Sequence, residues 1–137
     1  MTPAEEFART AHQWQTRRDN VTPYTEHLKA VANAFPTDSW EHEIAWLHDV
    51  LEDTPTSEGQ LRENFDGLTV DAVVALTKKK GQSYEEYLEQ VSQNDWAVRV
   101  KLVDIAHNLS DNPTPRQVEK YAKAIRFLAQ RIDFGQK

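Results

Sequence analysis

Residues 44–53 read Ile-Ala-Trp-Leu-His-Asp-Val-Leu-Glu-Asp, and the rest of the chain is interpreted from this stretch outward. Three apolar residues in it recur at the spacing of one helical face: Ile44, Leu47 and Leu51. The spacing predicts a helix on which Glu52 lies one turn beyond both His48 and Asp49, with Asp53 beside it. Burying such acids beside an imidazole is costly unless a cation neutralises them. A divalent metal is the simplest such cation, and a histidine that merely packs in the core is the alternative.

Length and composition limit the classes of protein that this chain can represent. Its 137 residues are enough for one domain with a substantial core, so we expect a single domain over residues 1–137. A formal net charge of −6 opposes nucleic-acid binding, because phosphate contacts require clustered lysine and arginine. Cysteine is absent, so a metal site would use histidine and carboxylate ligands. With neither a signal peptide nor a long apolar run, we expect a cytoplasmic protein without membrane contact.

Caps and apolar periodicity predict an all-α chain of about seven or eight helices. The first helix is expected from Ala4 to about Arg18, after the cap at Thr2-Pro3. The second is expected to be capped by Thr22, to begin at Pro23 and to run to about Phe35. Three capping boxes predict later helix starts, at Ser57, Ser83 and Thr114.

Two later stretches refine this prediction. The run Lys78 to Lys80 is typical of the solvent-exposed C-terminal end of a helix, followed by Gly81 in a left-handed backbone conformation. Binding of phosphate by these lysines is the alternative. The last helix has the clearest amphipathic pattern, which predicts that its apolar stripe packs in the core. That stripe consists of Val118, Tyr121, Ala122, Ile125, Leu128, Ala129 and Ile132.

The helix predicted from Trp96 to about Leu109 is apolar around nearly its whole circumference, which indicates burial. Asp104 lies inside that apolar belt, where a carboxylate needs either a proton or a partner. Lys101, one turn earlier, would give a simple salt bridge. A metal ion is the other partner that would suit a buried carboxylate.

Two imidazoles and two carboxylates from three predicted helices can meet at one point: His27, His48, Asp49 and Asp104. Short connections between the helices make the meeting of His27 with His48 plausible. Such a mixed nitrogen and oxygen set suits Mn²⁺, Fe²⁺ or Zn²⁺ better than Mg²⁺ or Ca²⁺. It leaves two octahedral positions open for water or substrate, which points to catalysis.

The order His, His-Asp, Asp resembles the HD-domain metal-dependent phosphohydrolases. More narrowly, the chain resembles the hydrolase domain of the RelA/SpoT family and the stand-alone small alarmone hydrolases. Four segments carry the resemblance: Ala11 to His27, Ala45 to Thr54, Phe65 to Lys78, and Val100 to Leu109. The resemblance implies a compact multi-helix HD-domain bundle in which the two histidines and two aspartates named above hold one Mn²⁺.

The same resemblance implies roles for further residues. Glu52 and Asp53 would position and deprotonate the attacking water. Arg17 would pack on the purine base, with Arg18 and Asn108 near phosphate or ribose. The implied reaction is removal of the 3′-pyrophosphate from guanosine tetra- or pentaphosphate, (p)ppGpp, a small-molecule nucleotide.

Two other functions stay open at this point. Another HD nucleotide or NADPH phosphatase would share the metal site, and a non-catalytic nucleotide or metal sensor would bind without turnover. The intact Glu52-Asp53 pair speaks against a sensor. The chain departs from the family pattern at Leu28, at Ile105 and in the shortened loop from Asp19 to Thr22, which leaves the metal ligands intact but affects substrate contacts. Oligomeric state is left open.

Overall fold

The computed structural model describes residues 1–131 and contains, over that range, nine α-helices and one isolated antiparallel bridge between Thr16 and Pro23. In chain order the helices are α1 (Pro3–Ala11), α2 (Thr25–Ala32), α3 (Trp40–Leu47), α4 (Val50–Asp53), α5 (Glu58–Asn64), α6 (Gly67–Ala75), α7 (Tyr84–Ser92), α8 (Asp95–Leu109) and α9 (Pro115–Ala129). The all-α prediction is confirmed, with more helices than expected. No helix within residues 1–131 is long and apolar enough to cross a membrane.

Helix starts follow the caps that the sequence predicted. The Thr2 hydroxyl accepts the backbone N–H of Glu5 at 3.1 Å, and Pro3 occupies the first turn of α1. Reciprocal capping boxes open α5, α7 and α9, as expected from Ser57, Ser83 and Thr114. Gly81 has a left-handed φ of 82°, also as predicted.

The predicted boundaries of the first two helices are wrong. The first, α1, ends at Ala11 and does not continue to Arg18. The second, α2, spans Thr25–Ala32 after a cap at Tyr24, so neither the predicted start at Pro23 nor the predicted end near Phe35 is correct. An irregular segment of residues 12–24 therefore separates α1 from α2.

Side-chain hydrogen bonds explain why this segment is not helical. The Asp19 carboxylate accepts the backbone N–H groups of Val21 and Thr22, both at 2.9 Å, and so competes with helix formation. Together with the Thr22 hydroxyl, which contributes most, these bonds lower the pKa of Asp19 to about 2. Asn20 takes a left-handed φ of 61°, and the N–H of Arg17 donates to the Thr22 carbonyl at 2.8 Å. The segment is thus a closed loop held by its own residues.

The stretch of residues 44–53 is not one continuous helix, contrary to the prediction. α3 ends at Leu47, and α4 is a single turn that begins at Val50. Nδ1 of His48 lies 2.7 Å from the carbonyl oxygen of Ala45. In a continuous helix that carbonyl would accept the N–H of Asp49, so the imidazole replaces a helical hydrogen bond and the helix is interrupted at His48 and Asp49.

The centre of the core is formed by α3, which packs against α1, α2, α6 and α8. Its apolar side chains are buried: Ile44, Ala45, Trp46 and Leu47. α8 buries Val98, Val100 and Ile105. The helices that carry His48 and Asp104 are therefore anchored by close-packed side chains, which limits how far these two residues can move.

The last helix contacts the core differently from the prediction. Ala124 and Leu128 are its buried residues, and they lie one turn apart. Val118 and Ile125 are 46% and 36% exposed, so their assignment to the core was wrong. The helix packs against α7 and α8, and the face that it buries is narrower than the expected stripe. Ile132, the last residue of the predicted stripe, lies outside the described residues.

Candidate functional site

Two histidines and one aspartate meet in the interior of the helix bundle. Ligand atoms of His27, His48 and Asp104 all lie within 4.8 Å of one another, and the three residues are buried. Asp104 Oδ1 is 2.8 Å from His27 Nε2 and 3.3 Å from His48 Nε2. α2 supplies the first histidine, the end of α3 the second and α8 the aspartate, so the helices bring together residues that are far apart in sequence.

The second nitrogen of each histidine is also engaged. Nδ1 of His48 must donate to the Ala45 carbonyl, because a carbonyl oxygen only accepts, so in the neutral imidazole Nε2 is the nitrogen with the lone pair. Nδ1 of His27 lies 2.7 Å from Nδ1 of His107, so one of these two nitrogens donates to the other. Metal-binding histidines are usually fixed by such hydrogen bonds on the opposite ring nitrogen.

Asp104 has partners on both of its oxygens. Oδ1 faces the histidines, and Oδ2 accepts the Lys101 ammonium at 3.0 Å. Burial alone would raise the pKa of Asp104, but Lys101 and the two histidines hold it well below its usual range. The two explanations considered for this aspartate are therefore compatible, since the salt bridge leaves one oxygen directed at the imidazoles.

Asp49 borders this group without belonging to it. Its Oδ2 lies 3.2 Å from His48 Nε2 and also accepts the hydroxyl of Tyr24. Burial would lower the pKa of His48, but the charges of Asp49 and Asp104 and the hydrogen bond to Asp104 outweigh it and raise that pKa to about 9. Asp49 thus supplies a fourth potential ligand beside the three that converge.

Glu52 and Asp53 lie on the short helix that follows. The Glu52 carboxylate accepts the backbone N–H of Lys78 at 2.9 Å. The backbone carbonyl of Asp53 accepts the side-chain amide of Gln15 at 2.8 Å. Burial, followed by the charges of Asp49 and Glu52, raises the pKa of the Asp53 carboxyl to about 6. A carboxylate with this pKa can accept a proton near neutral pH.

A cavity of about 240 Å³ brings together the three residues expected to bind substrate, Arg17, Arg18 and Asn108. Thr16, Tyr24, Gln117 and Tyr121 complete its lining. Tyr24 both lines this cavity and donates its hydroxyl to Asp49, so it connects the cavity with the histidine and aspartate group. We call this space the nucleoside cavity, after the nucleotide contacts expected of its arginines from the sequence.

Comparisons with known proteins identify relatives of this chain. No protein-family model matches the chain. It is 33% identical over 119 residues to guanosine-3′,5′-bis(diphosphate) 3′-pyrophosphohydrolase MESH1 of Mus musculus, covering 79% of this chain and 66% of the relative. A solved structure of a metazoan ortholog of SpoT, reported to hydrolyse ppGpp, superposes with a TM-score of 0.76 at 25% identity, covering 93% of this chain and 82% of that one. The chain belongs to the HD-type alarmone hydrolase family.

Family members differ greatly in length. The guanosine-3′,5′-bis(diphosphate) 3′-pyrophosphohydrolase of Haemophilus influenzae is 35% identical over 117 residues, which make up 75% of this chain but only 17% of that protein. The chain therefore spans about one sixth of the length of this bacterial relative. The family membership predicted from sequence is confirmed.

Several residues of the site were not recognised from the sequence. Tyr24 and Tyr121 looked like ordinary helix-face residues, and nothing in their spacing shows that they line a cavity. His12 is only 1% exposed, with Nδ1 2.7 Å from the Gln15 side-chain oxygen and Nε2 buried without a partner in residues 1–131. His107 was not among the residues expected at the site. Its contact with His27 depends on how α2 and α8 pack, which a single sequence does not reveal.

Proposed function

We propose that this chain is a metal-dependent hydrolase that removes the 3′-pyrophosphate from guanosine tetra- and pentaphosphate. The proposal rests chiefly on one observation, the position of Tyr24 between the histidine and aspartate group and the nucleoside cavity. A nucleotide whose base and ribose occupy the cavity would place its phosphates toward that group. The names of the relatives support the choice of substrate.

The site would hold one divalent ion, with Mn²⁺ as the first candidate and Fe²⁺ or Zn²⁺ as alternatives. His27, His48 and Asp104 would bind it, with Asp49 as the fourth ligand. The donor set fits, because imidazole nitrogens combined with carboxylates suit these ions and a set without sulfur disfavours softer ones. Such an ion would lower the pKa of a bound water and screen phosphate charge.

The neighbouring acids would divide the work on the attacking water. Asp53 would accept its proton, since the pKa of its carboxyl is raised to about 6. Glu52 would position the water. Its carboxylate also accepts the backbone N–H of Lys78, which holds the segment after α6 in place. The water oxygen would bond to the phosphorus attached to the ribose 3′ oxygen. The bond between that phosphorus and the 3′ oxygen would break and release pyrophosphate, and the 3′ oxygen would take the proton that Asp53 accepted from the water and become a hydroxyl.

Cations near the site would offset the negative field of a chain with net charge −6. Lys101 forms an ion pair with Asp104 of the histidine and aspartate group, and Arg17 and Arg18 line the nucleoside cavity. The Arg18 side chain is 53% exposed, which leaves it accessible to a phosphate from solvent. Charge complementarity of this kind speeds and orients the binding of an anionic substrate.

The nature of the released product tests the proposal. Mn²⁺-loaded protein is incubated with guanosine tetraphosphate, and pyrophosphate, orthophosphate and guanosine diphosphate are quantified, with a chelated sample and His48→Ala as controls. We expect pyrophosphate and guanosine diphosphate in equal amounts, and neither in the controls. Orthophosphate in place of pyrophosphate would indicate a phosphatase, and binding without any product would indicate a sensor.

A further inference from the structure

The loop between α8 and α9 holds both arginines of the nucleoside cavity. Nη2 of Arg17 donates to Asp111 Oδ2 at 2.9 Å and to Asn108 Oδ1 at 3.4 Å. Nη2 of Arg18 donates to the backbone carbonyl of Asp111 at 2.7 Å, and its Nη1 donates to the Gln117 side chain at 3.0 Å. Asp111 therefore contacts both guanidinium groups, through its carboxylate in one case and its backbone in the other.

Of the two arginines, Arg17 is the more restrained. Its side chain is 11% exposed, against 53% for Arg18. The loop that carries Arg17 is closed by the hydrogen bonds of Asp19. In the loop between α8 and α9, Asn112 follows Asp111 and has a left-handed φ of 50°, which restrains the backbone of that loop. Two locally fixed segments thus meet through the ion pair of Arg17 with Asp111.

We propose that Asp111 is a positioning residue that holds the Arg17 guanidinium as a flat surface for a purine base and so favours purine over pyrimidine nucleotides. The inference rests on the proposed function, because it presumes that the cavity takes a nucleoside. An aspartate that binds a guanidinium through its edge N–H groups leaves the planar faces free. Those faces can stack on a base, and a larger purine ring covers more of such a surface than a pyrimidine does.

Charge and positioning predict opposite effects when this carboxylate is removed. Asp111 is negative and lies beside a cavity proposed to bind an anion, so neutralising it should tighten nucleotide binding if charge alone matters. If the carboxylate acts by fixing Arg17, the same change should weaken binding, because the guanidinium then has to be ordered when the base enters. The sign of the effect therefore separates the two roles.

The test measures binding of guanosine 5′-diphosphate and uridine 5′-diphosphate to the Mn²⁺-loaded protein by calorimetry. In Asp111→Asn we expect guanosine diphosphate to bind about 10-fold more weakly, uridine diphosphate to change less, and metal content to stay the same. Asp111→Glu keeps a carboxylate and should recover part of the loss. Arg17→Lys keeps the charge but lacks a flat face, and should lose the purine preference as Asp111→Asn does.

Glu119→Gln is the matched control, since it also removes one acid from this region. Within residues 1–131 Glu119 makes no hydrogen bond to either arginine, so its loss should leave binding unchanged or slightly tighter. Unchanged or tighter guanosine diphosphate binding in Asp111→Asn, an equal loss for both nucleotides, or no binding of guanosine diphosphate by the parent would overturn the proposal. Because no turnover is needed, failure to release pyrophosphate would refute the proposed function without affecting this result.

Discussion

The carboxylate of Glu52 is tied to the backbone of Lys78 by a 2.9 Å hydrogen bond, which links α4 to the end of α6. The adjacent Asp53 differs, since its long-range hydrogen bond is made by the backbone carbonyl and its carboxylate makes none within residues 1–131. The two acids are neighbours in sequence but not equivalent. One holds a segment in place, and the other has a carboxylate with a raised pKa.

We expect Asp53→Asn to lower kcat by about 100-fold or more, because an amide cannot accept the proton of the attacking water. Metal content, measured by elemental analysis, should stay close to that of the parent. Glu52→Gln keeps an acceptor for the Lys78 N–H and should be less damaging to stability than Glu52→Ala. An Asp53→Asn variant with nearly full activity would remove that residue from the proton transfer.

Removal of the metal should lower the melting temperature. A ligand that binds only the folded state stabilises it, by about 2.7 kcal/mol at a concentration 100 times its dissociation constant. The measurement is thermal unfolding with Mn²⁺ and with excess chelator. His48→Ala should abolish the difference between the two conditions, and metal binding by this variant as tight as in the parent would contradict the ligand assignment.

The metal-free protein should lose stability as pH rises from about 6.5 to about 9. The pKa of His48 in the folded protein is about 9, above the ordinary value of 6.5 for a free imidazole, so the protonated form favours the folded state. That contribution is complete below pH 6.5 and is lost as pH rises through 9. Metal affinity should increase over the same range, because the metal displaces the His48 proton.

Melting curves of the chelated protein at several pH values, with chelator competition for the metal, check this expectation. The metal-loaded protein should not show the same decline, since its histidine is already deprotonated. A chelated protein whose melting temperature rises across this pH range would show that the sign is wrong.

Tyr24→Phe should weaken metal binding by about 10-fold, because loss of the hydroxyl removes the hydrogen bond that orients Asp49. The ring and its packing are retained. Thr69→Val is the control, since it also removes a buried hydroxyl, one that donates to the Glu43 carboxylate at 2.6 Å and makes no contact with the proposed ligands. Equal metal affinity in the two variants would leave Tyr24 without a role at the site.

The sequence predicted best those features that depend on neighbouring residues. Caps such as Ser57 and Thr114 act within one helical turn, so their pattern is visible in a short window. The break after Leu47 was missed because the apolar spacing favours a continuous helix. The break depends on the His48 imidazole, which takes the place of a backbone N–H at the Ala45 carbonyl, and apolar spacing does not show such a side-chain contact. The surface position of Val118 was missed because amphipathicity does not specify which partner helices cover a face.

For the site, the residue types and their order gave the group of His27, His48 and Asp104. Buried polar residues are few, and each must be paired, so their partners can be anticipated. The contact between Arg17 and Asp111 could not be anticipated, because it joins residues 94 positions apart in two loops of irregular structure.

α8 carries Asp104, His107 and Asn108 at helical spacing, and Asp111 follows shortly after its end. Deleting one residue of α8 before Asp104 would turn everything after it by about 100° relative to the buried first half. The carboxylate would then leave the histidines, and the hold on Arg17 would be lost in the same event. Small length changes ahead of Asp104 should therefore affect both sites at once, and deletion scanning of that part of α8 should find no variant that binds metal but not nucleotide.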